Sequence, residues 1–268
     1  MDKKQRSFRV DAVVLHHVEW GEADRLLTLF TRQLGKVKAI AKGVRKLRSR
    51  KAGHLEPFTR SSLQLARGRD LFIITQAEAT HTYSTLRENL EYLGYGSYVI
   101  EVLTRFTYEE GENLALFRLL VDTLQRLERG DDPVIVIHYY EIRLLDLVGF
   151  RPQLFVCTQC EDEIQPKNQF FSAFLGGVLC PKCGHRTNEG RPISIEALKY
   201  LRHFQRSSYQ EATRAQIDPV VNAEIEGLMN YYLTHILERG LNTPAFINRM
   251  KQERATKNTV NQIEESLE

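Results

Sequence analysis

The sequence contains no apolar run long enough to span a bilayer, and its first residues, MDKKQRSFRVD, include no apolar leader. A cytoplasmic protein with no membrane partner is expected. Signature motifs of common catalysts are also missing: no GxxxxGK[ST] phosphate loop, no HExxH and no GxSxG. Cysteine is scarce, with four residues, too few for a disulfide scaffold in a chain of 268. The most local absence lies between Arg25 and Leu55, where not one Asp or Glu occurs among ten Lys or Arg. Charge of one sign at that density repels itself unless a polyanion neutralises it.

That basic stretch is patterned. Lys36-Val37-Lys38-Ala39-Ile40-Ala41-Lys42 alternates polar with apolar, as a half-buried strand does, so its lysines share one sheet face. Gly43 breaks the strand, and Arg45-Lys46-Leu47-Arg48-Ser49-Arg50-Lys51 follows as a mobile basic loop. Lys36, Lys38, Lys42, Arg45, Lys46, Arg48, Arg50 and Lys51 are the candidate nucleic-acid contacts. The asymmetry holds across the chain: residues 1–80 carry 17 Lys or Arg against 8 Asp or Glu, the remainder 20 against 26.

Residues 1–80 read as a small β domain. Strand-like runs cover residues 8–18, 25–31, 37–41, 61–66 and 71–77, with Gly-containing turns and one long loop after the third. On such a domain Trp20, Phe58 and Phe72 can stack on bases, although packing is the commoner use of such rings. The His16-His17 pair points to opposite strand faces and cannot share one task.

From about His81 the apolar period becomes helical, over 90–107 and 113–129. Asp131-Asp132-Pro133 then supplies an N-cap and a first-turn proline for a helix running to Val148, with Gly149 placed as its left-handed stop. Helical periodicity resumes at 194–206 and 218–239. The expected organisation is a β domain at 1–80, a helical domain at 81–150 and 190–248, an insertion at 151–189, and a polar, disordered tail at 249–268.

The insertion holds the most specific motif. Cys157-Thr-Gln-Cys160 and Cys180-Pro-Lys-Cys183 are two CxxC hooks separated by nineteen residues, the spacing of a tetrahedral four-thiolate zinc site. Gly176-Gly177 and Gly184 suit its tight turns, and His185 reads as a surface residue. A closed four-ligand site leaves no position for substrate, so one structural Zn²⁺ per chain is expected. Glu109-Glu110-Glu112 and Glu161-Asp162-Glu163 offer carboxylates for a divalent ion, but solvated acidic turns explain them as well.

Gly21-Glu22-Ala23-Asp24-Arg25 before Leu27-Thr28-Leu29-Phe30-Thr31, then Gly35-Lys36, Ala41-Lys42-Gly43 with Arg45-Lys46, and Leu55-Glu56-Pro57-Phe58 resemble the N-terminal domain of the RecO family of bacterial recombination mediators. The interrupted helical region with four cysteines is similar to the zinc-containing members, and the resemblance covers about residues 8–245. It implies an α+β fold: a five-stranded OB-type β-barrel, then an all-α domain interrupted by the zinc site. It further implies a non-enzymatic DNA repair and homologous recombination protein, cytoplasmic and nucleoid-associated. Such a protein binds single- and double-stranded DNA, anneals complementary strands and helps RecA load onto strands coated by single-stranded DNA-binding protein. RecR and the acidic C-terminal tail of single-stranded DNA-binding protein are the implied partners, and Lys36, Lys42, Arg45 and Lys46 map onto the family's basic barrel surface. For the tail, Arg143 with Tyr139, Tyr140 and Leu144 is the candidate pocket. The residues alone also fit an RNA-binding OB and zinc-ribbon module or, less well, a metal-dependent nuclease.

Overall fold

The computed structural model describes residues 7–108 and 111–253. They form two compact units, described in turn: the residues up to Glu88 with Leu103–Asp131, and Asn89–Val102 with the residues from Asp132 onward.

In the first unit, β1 (Ser7–Trp20), β2 (Asp24–Thr31), β3 (Gly35–Ala41), β4 (Arg60–Arg67) and β5 (Phe72–His81) close into a barrel in the order β1-β2-β3-β5-β4. All pairings are antiparallel except β3 with β5. β1 pairs on both sides and bends between Val14 and His16, where Leu15 has no partner on β2. Before the bulge Val10, Ala12 and Val14 face the barrel core, with Leu27, Leu29, Val37, Ala39, Leu63, Leu65 and Ile74. The extra residue shifts the alternation, so His17 lies opposite the core residue Leu27, and His16 and Val18 turn outward.

The loop after β3 is pinned rather than loose. Asp24 Oδ1 accepts the Gly43 N–H at 2.7 Å, Arg45 N–H donates to the Ala23 carbonyl at 2.9 Å, and Val44 and Leu55 are buried in the barrel core. A 3₁₀ turn at Ala52–His54 leads into β4.

Helix α1 (Ser84–Glu88) follows the barrel, and α2 (Leu90–Phe106) is divided between the two units. Helix α3 (Leu114–Glu128) groups with the barrel, whereas the sequence reading put all of 81–150 in the helical domain. The reason is specific: the Arg60 guanidinium on β4 holds Asp11 of β1 through two hydrogen bonds, at 2.9 and 2.5 Å, and lies 5.7 Å from the centre of the Phe117 ring on α3. Helical periodicity identifies the helix but not which core its apolar stripe joins.

The second unit is built on α4 (Pro133–Leu147), capped as expected by Asp132, which accepts the Val134 N–H at 2.9 Å, and ended at Gly149 with φ +85°. It is apolar nearly all round and buried. Also in this unit are α6 (Ile195–Arg206), after the short α5 (Pro181–Gly184), then α7 (Tyr209–Ala212) and α8 (Pro219–Leu237). Residues 243–253 are helical as well; the tail expected from 249 is thus helical to 253, and 254–268 lie outside the described residues. The insertion carries a three-stranded sheet, β7-β6-β8, of β6 (Gln169–Ser172), β7 (Gly177–Leu179) and β8 (Arg191–Ile193).

Gly35 shows how tightly the barrel turn is fitted. Its φ is +67°, and a Cβ there would stand 2.1 Å from the Gly111 carbonyl oxygen, beside the hydrogen bond from Gly111 N–H to Leu34 O. Gly35→Ala therefore combines left-handed strain with a backbone clash, and we expect it to cost about 2–4 kcal/mol. Urea unfolding followed by tryptophan emission reads this unit; a loss below about 0.5 kcal/mol would contradict the assignment.

Candidate functional site

The eight basic candidates divide by what holds them. Lys36 points outward from β3, but its ammonium donates to the carbonyls of Thr104, at 2.7 Å, and Thr107 at the end of α2. Arg45 pairs with Glu19 at 3.0 Å and reaches the carbonyl of Glu22. Lys51 is half-buried and donates to the carbonyls of Lys42 and Ile74 at 3.2 and 3.1 Å, and burial lowers its pKa although Asp24 opposes the shift. These three cations hold the barrel together. Lys42, Lys46, Arg48 and Arg50 are exposed and make no side-chain hydrogen bond or ion pair among the described residues; Lys38 is exposed on the outer face of β3. Two cations were not among the candidates. Arg67 and Arg69, in the turn between β4 and β5, line a shallow cleft of about 180 Å³ with Lys36, Lys38 and Phe72. The pairing of β3 with β5 creates it, and the Arg67-Gly68-Arg69 run was its one local signal.

Of the three rings singled out, Phe58 is buried with φ +60°, and Phe72 packs edge-on against Phe8 at 5.8 Å. Trp20 alone stands in solvent, 51% exposed.

The cysteines converge. One atom from each of Cys157, Cys160, Cys180 and Cys183 lies within 4.8 Å of every other, and the sulfurs of Cys160 and Cys180 are 3.8 Å apart. A metal bonded to four thiolates at about 2.3 Å sets its sulfurs about 3.8 Å apart, while a disulfide needs about 2.0 Å. All four cysteines are unpaired, so this donor set fits a metal ion. Local backbone shapes both knuckles. Glu161 takes φ +63° to close the first, and Cys180 caps α5 to form the second. Gly184 is needed for space rather than for a left-handed turn, since a Cβ there would meet the Phe170 ring at 2.3 Å. Burial raises the Cys157 pKa, but the N–H groups of Cys160, Cys180 and Gln159 outweigh it and bring the thiol down to about 6. His185 is exposed, as expected. Among the described residues no other group of His, Cys, Asp or Glu is placed to hold a metal ion, Glu161-Asp162-Glu163 included; Glu109 and Glu110 lie outside the described residues.

The residues suggested for a peptide-tail pocket do not form one. Tyr140 and Leu144 are completely buried, with the Tyr140 hydroxyl donating to Val99 O, and the Arg143 guanidinium is spent on the carbonyls of Gln205 and Ser207 beyond α6. On this face of α4 the side chains are taken up by packing and by the Arg143 hydrogen bonds, which leaves none for a ligand. Another face of α4 borders a cavity of about 370 Å³, lined by Tyr95, Ile137, Pro244 and Ile247, with Lys251 at its edge 2.8 Å from Glu226. At its floor, Tyr98 donates to Glu141 Oε1, His138 Nδ1 lies 3.1 Å from Glu141 Oε2, and His138 Nε2 lies 2.8 Å from Asn222 Oδ1.

The sequence model described as "Recombination protein O N terminal" matches residues 5–83, and "Recombination protein O C terminal" matches residues 87–245. The chain belongs to the RecO family. It is 39% identical to the DNA repair protein RecO of Roseiflexus sp. (strain RS-1), covering 93% of this chain and 88% of the relative. It is 34% identical to that of Dehalococcoides mccartyi (strain CBDB1), over 88% and 93%, and 36% identical to that of Pelotomaculum thermopropionicum, over 91% and 95%. RecO membership supports a role in DNA repair and recombination, and the OB-like barrel followed by helices is the architecture the resemblance implied. No described helix is long and apolar enough to cross a membrane.

The His138–Glu141 pair makes the stability of the RecO C-terminal region depend on pH. Burial disfavours the imidazolium, but the Glu141 carboxylate outweighs it and the His138 pKa is raised. A raised folded pKa means stability that is full below the unfolded value of about 6.5 and is lost as pH rises through the folded one. We expect this unit to lose stability as the pH rises above about 6.5 and through the raised pKa of His138, and Glu141→Gln to remove that dependence. Should the His138 ring titrate by NMR at or below about 6.5, the pairing is wrong.

Proposed function

We propose that this protein is a recombination mediator that binds single- and double-stranded DNA through the barrel, anneals complementary strands, and assists RecA loading onto strands coated by single-stranded DNA-binding protein. The observation that carries this reading is the set of exposed cations Lys42, Lys46, Arg48 and Arg50, which have no hydrogen-bond or ion-pair partner among the described residues and are held by a pinned loop, together with the cleft lined by Lys38, Arg67 and Arg69. Charges fixed on a scaffold and matched to no carboxylate are suited to phosphates, without base readout. Lys36, Arg45 and Lys51 contribute by holding that surface in shape. The protein acts without catalysing a reaction, in the cytoplasm at the nucleoid. RecR is its partner, as is the acidic tail of single-stranded DNA-binding protein, for which the cavity supplies apolar walls and, at its edge, Lys251, a cation that would exchange Glu226 for a carboxylate of the tail.

The alternatives rank lower. An RNA-binding module accounts for the basic face but not for the match to the RecO family over most of the chain. A metal-dependent nuclease needs an open metal site, and four thiolates form a closed one.

Annealing of complementary oligonucleotides, bare and coated, tests the reading. Changing Lys46 and Arg48 together to Ala should weaken binding to every sequence alike and flatten the log–log salt slope for single strands by up to roughly 1.4. Lys251→Glu should spare annealing of bare strands and slow it on coated ones. Annealing that stops once strands are coated would refute the mediator role, and an unchanged salt slope would refute the basic loop.

The metal we assign to the four cysteines is zinc, one ion per chain, chosen from the all-thiolate donor set. Bound there, it cross-links the two knuckles and nothing more. Elemental analysis should return one zinc per chain, and Cys180→Ser or strong chelation should unfold the insertion while the cysteine-free barrel continues to bind DNA. Iron in place of zinc, or DNA binding lost together with the metal, would contradict this.

A further inference from the structure

The outer face of β1, β2 and β3 carries a pattern that the basic loop does not explain. Strand register sets Val18 opposite Leu26 and Leu26 opposite Ile40, which makes an apolar row across three strands on the side away from the core. One step along on one side, His16, Thr28 and Lys38 form the next row. One step along on the other, Trp20 stands opposite Asp24, and Lys42 follows the end of β3. At the far end this face is closed, where Lys36 engages the carbonyls of Thr104 and Thr107 and Phe30 is buried. At the near end it is open. Val18 is 49% exposed and Trp20 51%, and Trp20 makes no ring contact among the described residues.

Exposed apolar side chains on the convex face of a barrel lose favourable burial unless something covers them. The occupant must be both flat or apolar and anionic, because the row is bordered by Lys38, Lys42 and the Lys46–Arg50 loop. The nearby acids are mostly engaged: Glu19 pairs with Arg45, and Asp24 accepts the Gly43 N–H. An acidic peptide would satisfy the cations but has no general reason to lie on an indole. A duplex would satisfy the cations too, yet it keeps its bases stacked on one another. A single strand offers both phosphates and free base faces.

We propose that Trp20 is a base-stacking residue for single-stranded DNA, with the strand crossing the Val18–Leu26–Ile40 row and its phosphates set against Lys38 and Lys42. This rests on the DNA-binding reading of the barrel and adds to it a feature that separates single from double strands. Phosphate contacts alone hold both forms, whereas stacking on Trp20 requires an unpaired base. His16, facing Lys38 on the same sheet, lies along the same path.

Trp20 is the chain's only tryptophan, so its emission reports on this site without labelling. The intact protein is titrated with an oligothymidylate and, separately, with a blunt duplex, while anisotropy of end-labelled DNA records binding independently. Emission should be quenched saturably by the single strand and much less by the duplex. Trp20→Ala should weaken single-strand binding roughly fivefold to a hundredfold with little change for the duplex, and Trp20→Phe should retain most of the affinity. A bound single strand that leaves the emission unchanged, or Trp20→Ala binding single strands as the parent does, would overturn this assignment and leave the basic surface standing. Anisotropy showing no binding of either form would overturn the DNA-binding reading, and this inference with it.

Discussion

In a closed five-stranded barrel every strand pairs on both sides, and β1, the longest, does so by bending at Leu15. The bulge lets residues up to Val14 complete the core with β4 while residues from His16 onward stay paired with β2. It also reverses which side chains face out. Without it His16, Val18 and Trp20 would all turn towards the core, and the open platform on β1–β3 would not exist. The same closure places the β4–β5 turn against β3, so that Arg67 and Arg69 join cations some thirty residues away.

The dense positive charge of this region therefore does two kinds of work. Part is neutralised within the protein: Lys36 on the last carbonyls of α2, Lys51 on the carbonyls of Lys42 and Ile74, Arg45 on Glu19. A cation on a helix C-terminus meets the negative end of the helix dipole, so Lys36 is well placed without any ligand. The remainder, Lys42, Lys46, Arg48 and Arg50, has no such partner among the described residues. A loop anchored by the Asp24–Gly43 hydrogen bond and the buried Val44 holds those side chains outward at little further entropic cost on binding.

In the second unit stability comes from different sources. α4 is largely buried and carries a hydrogen-bonded His–Glu–Tyr cluster at its middle, and four sulfurs converge in the insertion. A three-stranded sheet with strands of three or four residues has too little core to fold unaided. A metal ion held by the four cysteines would cross-link the knuckles and offset that deficit.

Local features were legible in the residues. Alternation located the five strands within a few positions, Asp132-Pro133 and Gly149 marked the ends of α4, and the two CxxC hooks marked the four cysteines that converge, because each is a property of neighbouring residues. What residues do across the chain was not legible. Nothing in Lys36 or Lys51 marks them as bonded to carbonyls, nothing in α3 marks it as packing on the barrel, and the apolar run of α4 reads equally as pocket or core. The standing of Trp20 depended on a single unpaired residue five positions earlier. By itself the sequence determined the five barrel strands, the main helices and which four cysteines come together, since backbone preference and motif spacing act over short separations. The tertiary structure alone decided which cations and rings remain free, since that depends on strand register and on which distant carbonyl, carboxylate or core reaches each side chain first.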